Sequence, residues 1–68
     1  MPYASIHDLP ESVQKHLPRH AQEIYKEAYN HAWEEYAERK DREAVSHKVA
    51  WSAVKKKYKK QGDQWVRK

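Results

Sequence analysis

Two prolines eight residues apart, Pro10 and Pro18, restrict this 68-residue chain more than any other feature. Each lacks a backbone donor and pushes the residue before it, Leu9 or Leu17, toward extended geometry, so no unbroken helix runs through either point. A short first helix therefore fits between them. Asp8 stands where a capping residue is needed, Pro10 lies in the first turn where its missing N–H costs little, and Glu11 completes a capping box. Leu9, Val13 and Leu17 recur every four residues and give this helix one apolar stripe. Pro18 stops it near His16 and suits the opening of the next.

A second helix is expected over about Arg19 to Arg39. At about 100° per residue its apolar face collects Ala21, Ile24, Tyr25, Ala28, Tyr29, Ala32, Trp33 and Tyr36, a half-cylinder wide enough for two neighbours. Glu23, Glu27, Glu34 and Glu38 fall on one solvated ridge opposite. The run Arg39 to Glu43 has no apolar residue and forms a connection, with a turn near Lys40 and Asp41. From Ala44 to about Lys60 a third helix carries Val45, Val49, Ala50, Trp51, Ala53, Val54 and Tyr58 over more than half its circumference, the pattern of a central helix. Gly62 is suited to the left-handed position after it. Gln64 to Arg67 has strand character, and pairing with Met1 to Ala4 would tie both termini down. The expected fold is mainly α, three helices in a compact irregular array with a small two-stranded sheet pairing the termini, in a single domain over residues 1–68. Its core is expected to comprise Leu9, Val13, Leu17, Ile24, Tyr25, Ala28, Ala32, Trp33, Tyr36, Val45, Val49, Trp51, Val54 and Tyr58.

So short a domain buries only about 60% of the surface its unfolded chain exposes, which leaves no room for a deep active site. Phe and Cys are both absent, while three Trp and five Tyr supply the bulk, so the core is thin and edged with polar tips. Without cysteine there is no disulfide and no thiolate metal cluster, in keeping with a reducing cytoplasm. The N-terminus lacks the basic start and apolar run of a signal peptide, and no stretch nears the ~20 apolar residues of a membrane span. The chain reads as soluble and cytoplasmic.

Charge is unevenly placed. Residues 1–44 hold six Lys or Arg against nine Asp or Glu, a net of −3, whereas residues 45–68 hold eight against one, a net of +7. Lys55, Lys56, Lys57, Lys59 and Lys60, followed by Arg67 and Lys68, concentrate the positive charge. Such a cluster complements a helix dipole and aids solubility, and it equally attracts nucleic acid, an anionic lipid surface or an acidic protein patch. Lysine outnumbers arginine in it, which favours diffuse attraction over bidentate recognition.

Chemistry finds little to use. Glu27, His31 and Glu34 or Glu35 share helical spacing, but a metal site on one exposed helix has no closing shell, so neither a metal nor any other cofactor is expected. His47 borders the apolar face of the third helix and His20 sits in the first turn of the second, and both read as packing residues. Ser5, Ser12, Ser46 and Ser52 lie in no nucleophile-elbow context, and a lone glycine cannot form a phosphate-cradling loop. No catalytic residues are assigned.

The motifs Met1-Pro2-Tyr3, Leu9 to Val13 (LPESV), Leu17-Pro18, His20 to Trp33 (HAQEIYKEAYNHAW), His47 to Trp51 (HKVAW) and Ala53 to Tyr58 (AVKKKY) occur in the order of the ChaB family, which this chain resembles over nearly its whole length. The resemblance implies three helices with a small sheet. Prokaryotic members carry the name of regulators of a sodium/calcium–proton antiporter, and related domains occur in larger viral proteins, which suggests a portable binding module. The charged connection before His47 is shorter than in longer members. The expected function is a non-enzymatic interaction module that binds a protein partner, such as a membrane cation–proton antiporter, through the acidic ridge and the basic cluster. The alternatives are nucleic-acid binding through Lys55 to Lys60 and the tail, with Trp65 stacking on a base, and direct cation sensing beside Glu27 and His31.

Overall fold

The computed structural model describes residues 2–68. A 3₁₀ turn at Ile6–Asp8 leads to α1 (Glu11–His16), α2 (Arg19–Glu35) and α3 (Arg42–Lys57), then to the strands β1 (Tyr58–Gln61) and β2 (Gln64–Arg67). The proline breaks act as their chemistry dictates. Leu9 and Leu17 are both extended (φ −66°, ψ 154° and φ −110°, ψ 137°), and Pro10 and Pro18 stand at the starts of α1 and α2. Because Leu9 is extended, Asp8 is held in the 3₁₀ turn and does not cap α1, which starts without a side-chain cap. Two glutamines satisfy carbonyls that the breaks leave over. Gln14 Nε2 donates to Leu9 O at 2.6 Å, and Gln22 Nε2 donates to Leu17 O at 2.9 Å.

Helices α2 and α3 form an antiparallel hairpin, with His20 beside Tyr58 at one end and Trp33 beside Arg42 at the other. Helix α2 ends four residues before the expected Arg39. Its C-terminal carbonyls are met by Arg42, whose Nε donates to Trp33 O at 2.6 Å while its guanidinium lies 3.9 Å from the Trp33 ring centroid. Residues Tyr36 to Asp41 make the connection. Small residues set the seam: Ala21 and Ala32 on α2 and Ser46 and Ala50 on α3 are fully buried, which lets the backbones approach. Ser46 is tolerated there because its hydroxyl donates to Arg42 O at 2.7 Å. Tyr25 and Tyr29 fill the space between, alongside Val54, Leu9, Val13, Leu17 and Tyr58.

The core is narrower than expected on α3. Its fully buried stripe is Ser46, Ala50 and Val54, so Val45 and Val49 lie on the flank, half-buried, and Tyr36 falls beyond the end of α2. Ile24, Ala28, Trp33 and Trp51 pack half-buried around the central cluster.

The small sheet is present, but β2 pairs with β1 rather than with the N-terminal residues. Helix α3 stops at Lys57, short of the expected Lys60. Continued as a helix, the lysine run would stack Lys55 on Lys59 and Lys56 on Lys60 at i,i+4, a repulsive arrangement. As a strand it alternates instead. The antiparallel register sets Tyr58 opposite Arg67 and Lys60 opposite Trp65, with Gly62 and Asp63 as the loop. Gly62 has φ 64° while no other described residue has positive φ, the order of a type II′ hairpin turn. Its positive φ thus serves a hairpin and not a helix end. Met1 lies outside the described residues. Tyr3 is clamped by Asn30 on α2, whose amide accepts from Tyr3 N at 2.7 Å and donates to Tyr3 O at 2.8 Å.

Candidate functional site

One pole of the molecule gathers the end of α3, the hairpin, and the end of α1. Lys55, Lys56 and Lys57 form the last turn of α3, where positive charge meets the negative end of the helix dipole. Lys59 and Lys60 follow on β1, and Arg67 lies opposite Tyr58 on β2. Lys68 is stitched back by its backbone N–H, which donates to Lys57 O at 3.1 Å. All seven cations are exposed. Among the described residues the ion pairs are Lys15 with Glu11, His31 with Glu35 and Arg39 with Asp41, so none of the seven is neutralised.

Strand alternation decides what lies between these charges. Tyr58, Lys60, Trp65 and Arg67 share one hairpin face, and burial of Tyr58 turns that face toward the helices. Trp65 is thereby laid against Trp51, with ring centroids 5.5 Å apart, and Trp51 meets Tyr25 edge-on at 5.3 Å. An aromatic column thus runs from the core to the surface. Three adjoining hollows of about 370, 260 and 300 Å³ share Trp65 as a wall. Their other walls include Trp51, Leu17 and Tyr58, and their rims carry Lys15, His16, Lys55, Lys59, Lys60 and Lys68. No Asp or Glu side chain lines any of them. Lys15 and His16 had not stood out in the sequence, although their place just before the Leu17-Pro18 break brings them to this pole.

The acidic residues are arranged more loosely. Glu23, Glu27 and Glu34 are exposed on α2, while Glu38 sits in the turn after it, off the ridge, because α2 ends at Glu35. His31 pairs with Glu35 at 3.6 Å, both largely exposed, and no group of three or more His, Asp or Glu among the described residues is placed to hold a metal. At the far end a hollow of about 460 Å³ is lined by Lys40, Asp41, Glu43, Ala44 and His47, with the two signs intermixed. Hydrogen bonding from Arg39 holds the Asp41 carboxyl below its ordinary range.

His47 and His20 are tied into the fold by hydrogen bonds. His47 is hydrogen-bonded to the Tyr25 hydroxyl and lies edge-on to Tyr29 at 4.9 Å, and His20 bonds the Tyr58 hydroxyl at 2.9 Å. Burial raises the pKa of Tyr3, Tyr25 and Tyr29, Tyr29 to about 12. Every buried side-chain polar atom among the described residues has a partner.

Comparison with known proteins places this arrangement among relatives. The ChaB family model matches residues 9–68. The proteins named "Putative cation transport regulator ChaB" in Escherichia coli (strain K12) and Shigella flexneri are each 52% identical over 75 aligned positions, covering 100% of this chain and 99% of theirs. A structure titled "NMR solution structure of the putative cation transport regulator ChaB" superposes with a TM-score of 0.85 at 53% identity, over 98% of this chain and 99% of that one.

Proposed function

The chain belongs to the ChaB family, and from that premise we propose that it is a non-enzymatic interaction module that regulates cation transport by binding a protein partner on the cytoplasmic side. A sodium/calcium–proton antiporter is the first candidate partner. The observation that carries this reading is the exposed basic pole, free of ion pairs among the described residues and set around the hollows that Trp65 walls, whose charge suits an anionic partner. No helix among the described residues is long and apolar enough to cross a membrane, so contact with a transporter runs through such a surface. The exposed Glu23, Glu27 and Glu34 of α2 supply a second face of opposite sign.

The test is transport itself. Added to inverted vesicles carrying the antiporter, the protein should change the rate of calcium- or sodium-driven proton flux. Reversing Lys56 and Lys59 to Glu should abolish the change at physiological salt. Unaltered flux with the folded protein at saturating concentration defeats the reading.

The same pole supports nucleic-acid binding as a second reading, because seven exposed cations lie close together. Binding of that kind falls steeply with salt, by roughly 0.9 log units per log of salt for each phosphate neutralised on duplex DNA. No binding at low salt removes it.

A further inference from the structure

We propose that the trough around Trp65 binds an acidic segment of a partner protein, with one aromatic side chain seated against the Trp51–Trp65 floor and carboxylates held by the lysines on the rim. This deepens the protein-partner reading and rests on it. Three observations converge. The hollows sharing Trp65 carry cations on their rims and no Asp or Glu in their walls, and of the rim lysines only Lys15 is paired, with Glu11, so an entering acidic chain meets a surplus of positive charge. Lys55, Lys59, Lys60 and Lys68 are free of ion pairs among the described residues, so they are available to an anion without first breaking a contact. The floor is half-buried indole, which favours a large apolar side chain over a bare polyanion.

The floor also chooses between classes of anion. Single-stranded nucleic acid uses open aromatic faces on which successive bases stack. Here Trp65 already lies beside Trp51 at 5.5 Å, and neither is fully exposed. The hollow walls contain no arginine, the side chain that grips phosphate bidentately. A lysine rim over a recessed apolar floor instead suits flexible carboxylates flanking a hydrophobic anchor. Such an anchor is worth about tenfold or more in affinity when well buried.

The experiment titrates the labelled full chain with three probes and follows the indole N–H signals by NMR. The probes are a short Asp/Glu peptide with one central Phe, the same peptide with Ser replacing Phe, and single-stranded DNA of equal charge. The Phe peptide should shift Trp65 and bind at least about tenfold more tightly than the Ser peptide. Lys55→Ala with Lys60→Ala, both exposed, should weaken it about tenfold, and Trp65→Ala should remove the difference between the two peptides. Lys40→Ala, which removes an exposed cation at the far end, should leave that difference unchanged. Equal binding of the two peptides, tighter binding of DNA, or no Trp65 shift with any probe overturns the proposal. Full transport regulation by the Lys55→Ala/Lys60→Ala variant would overturn the trough alone. Peptide binding at Trp65 without any effect on transport would instead defeat the regulatory reading.

Discussion

Burial of Tyr3, Tyr25 and Tyr29 in one aromatic stack links folding to alkaline pH. Unfolded, a tyrosine ionises near pH 10, whereas in the folded chain desolvation raises all three and carries Tyr29 to about 12. The folded state therefore keeps protons that the unfolded chain releases, so the stability these groups contribute is complete below about pH 10 and is lost as pH climbs through 12. Phenolate absorbance should lag that of the denatured chain and then rise together with loss of helical circular dichroism. A titration that tracks the denatured chain while the dichroism stays constant would contradict this. Other single-residue roles escape sequence reading because they depend on a distant partner. Nothing in the local run around Asn30 announces that it binds Tyr3, 27 positions away, and Arg42 looks like one more charge in a polar connection until Trp33 is seen beside it.

Among the elements, the C-terminal hairpin has most to do with the site, and Gly62 has most to do with the hairpin. A Cβ built on Gly62 meets nothing within 4 Å, so replacing it changes backbone energy alone. Gly62→Ala should lower stability by about 1–2 kcal/mol, with Gly62→Asn losing distinctly less because Asn, after Gly, is among the residues that primed turns accept at a positive φ. Urea midpoints measure both, and equal losses would show that the turn is not held by its φ angle. The start of α2 and the end of α1 were legible in the chain because proline acts on its immediate neighbours. The end of α3 was not. Repulsion along its lysine run disfavours further helix, but that a paired strand follows rests on Trp65 returning to cover Trp51, a long-range contact. The basic cluster could likewise be read as charge, whereas the trough it rims exists only once α1, α3 and the hairpin meet.

At the level of the whole molecule, which measures 36 × 21 × 15 Å, the antiparallel pairing of α2 and α3 separates an uncompensated basic pole from an end where charges pair or mix. This separation gives a short chain two distinct surfaces without enlarging its core. The aromatic rings connect those regions: Tyr3 lies 4.7 Å from Tyr29, Tyr29 is 6.0 Å from Trp33 and 6.3 Å from Tyr25, and Tyr25 reaches Trp65 through Trp51. At such separations, light absorbed by a buried tyrosine passes to a tryptophan before it can be re-emitted. The native protein should accordingly fluoresce as if it held almost no tyrosine, and tyrosine emission should appear only when the fold opens, so the chain carries its own optical gauge of integrity.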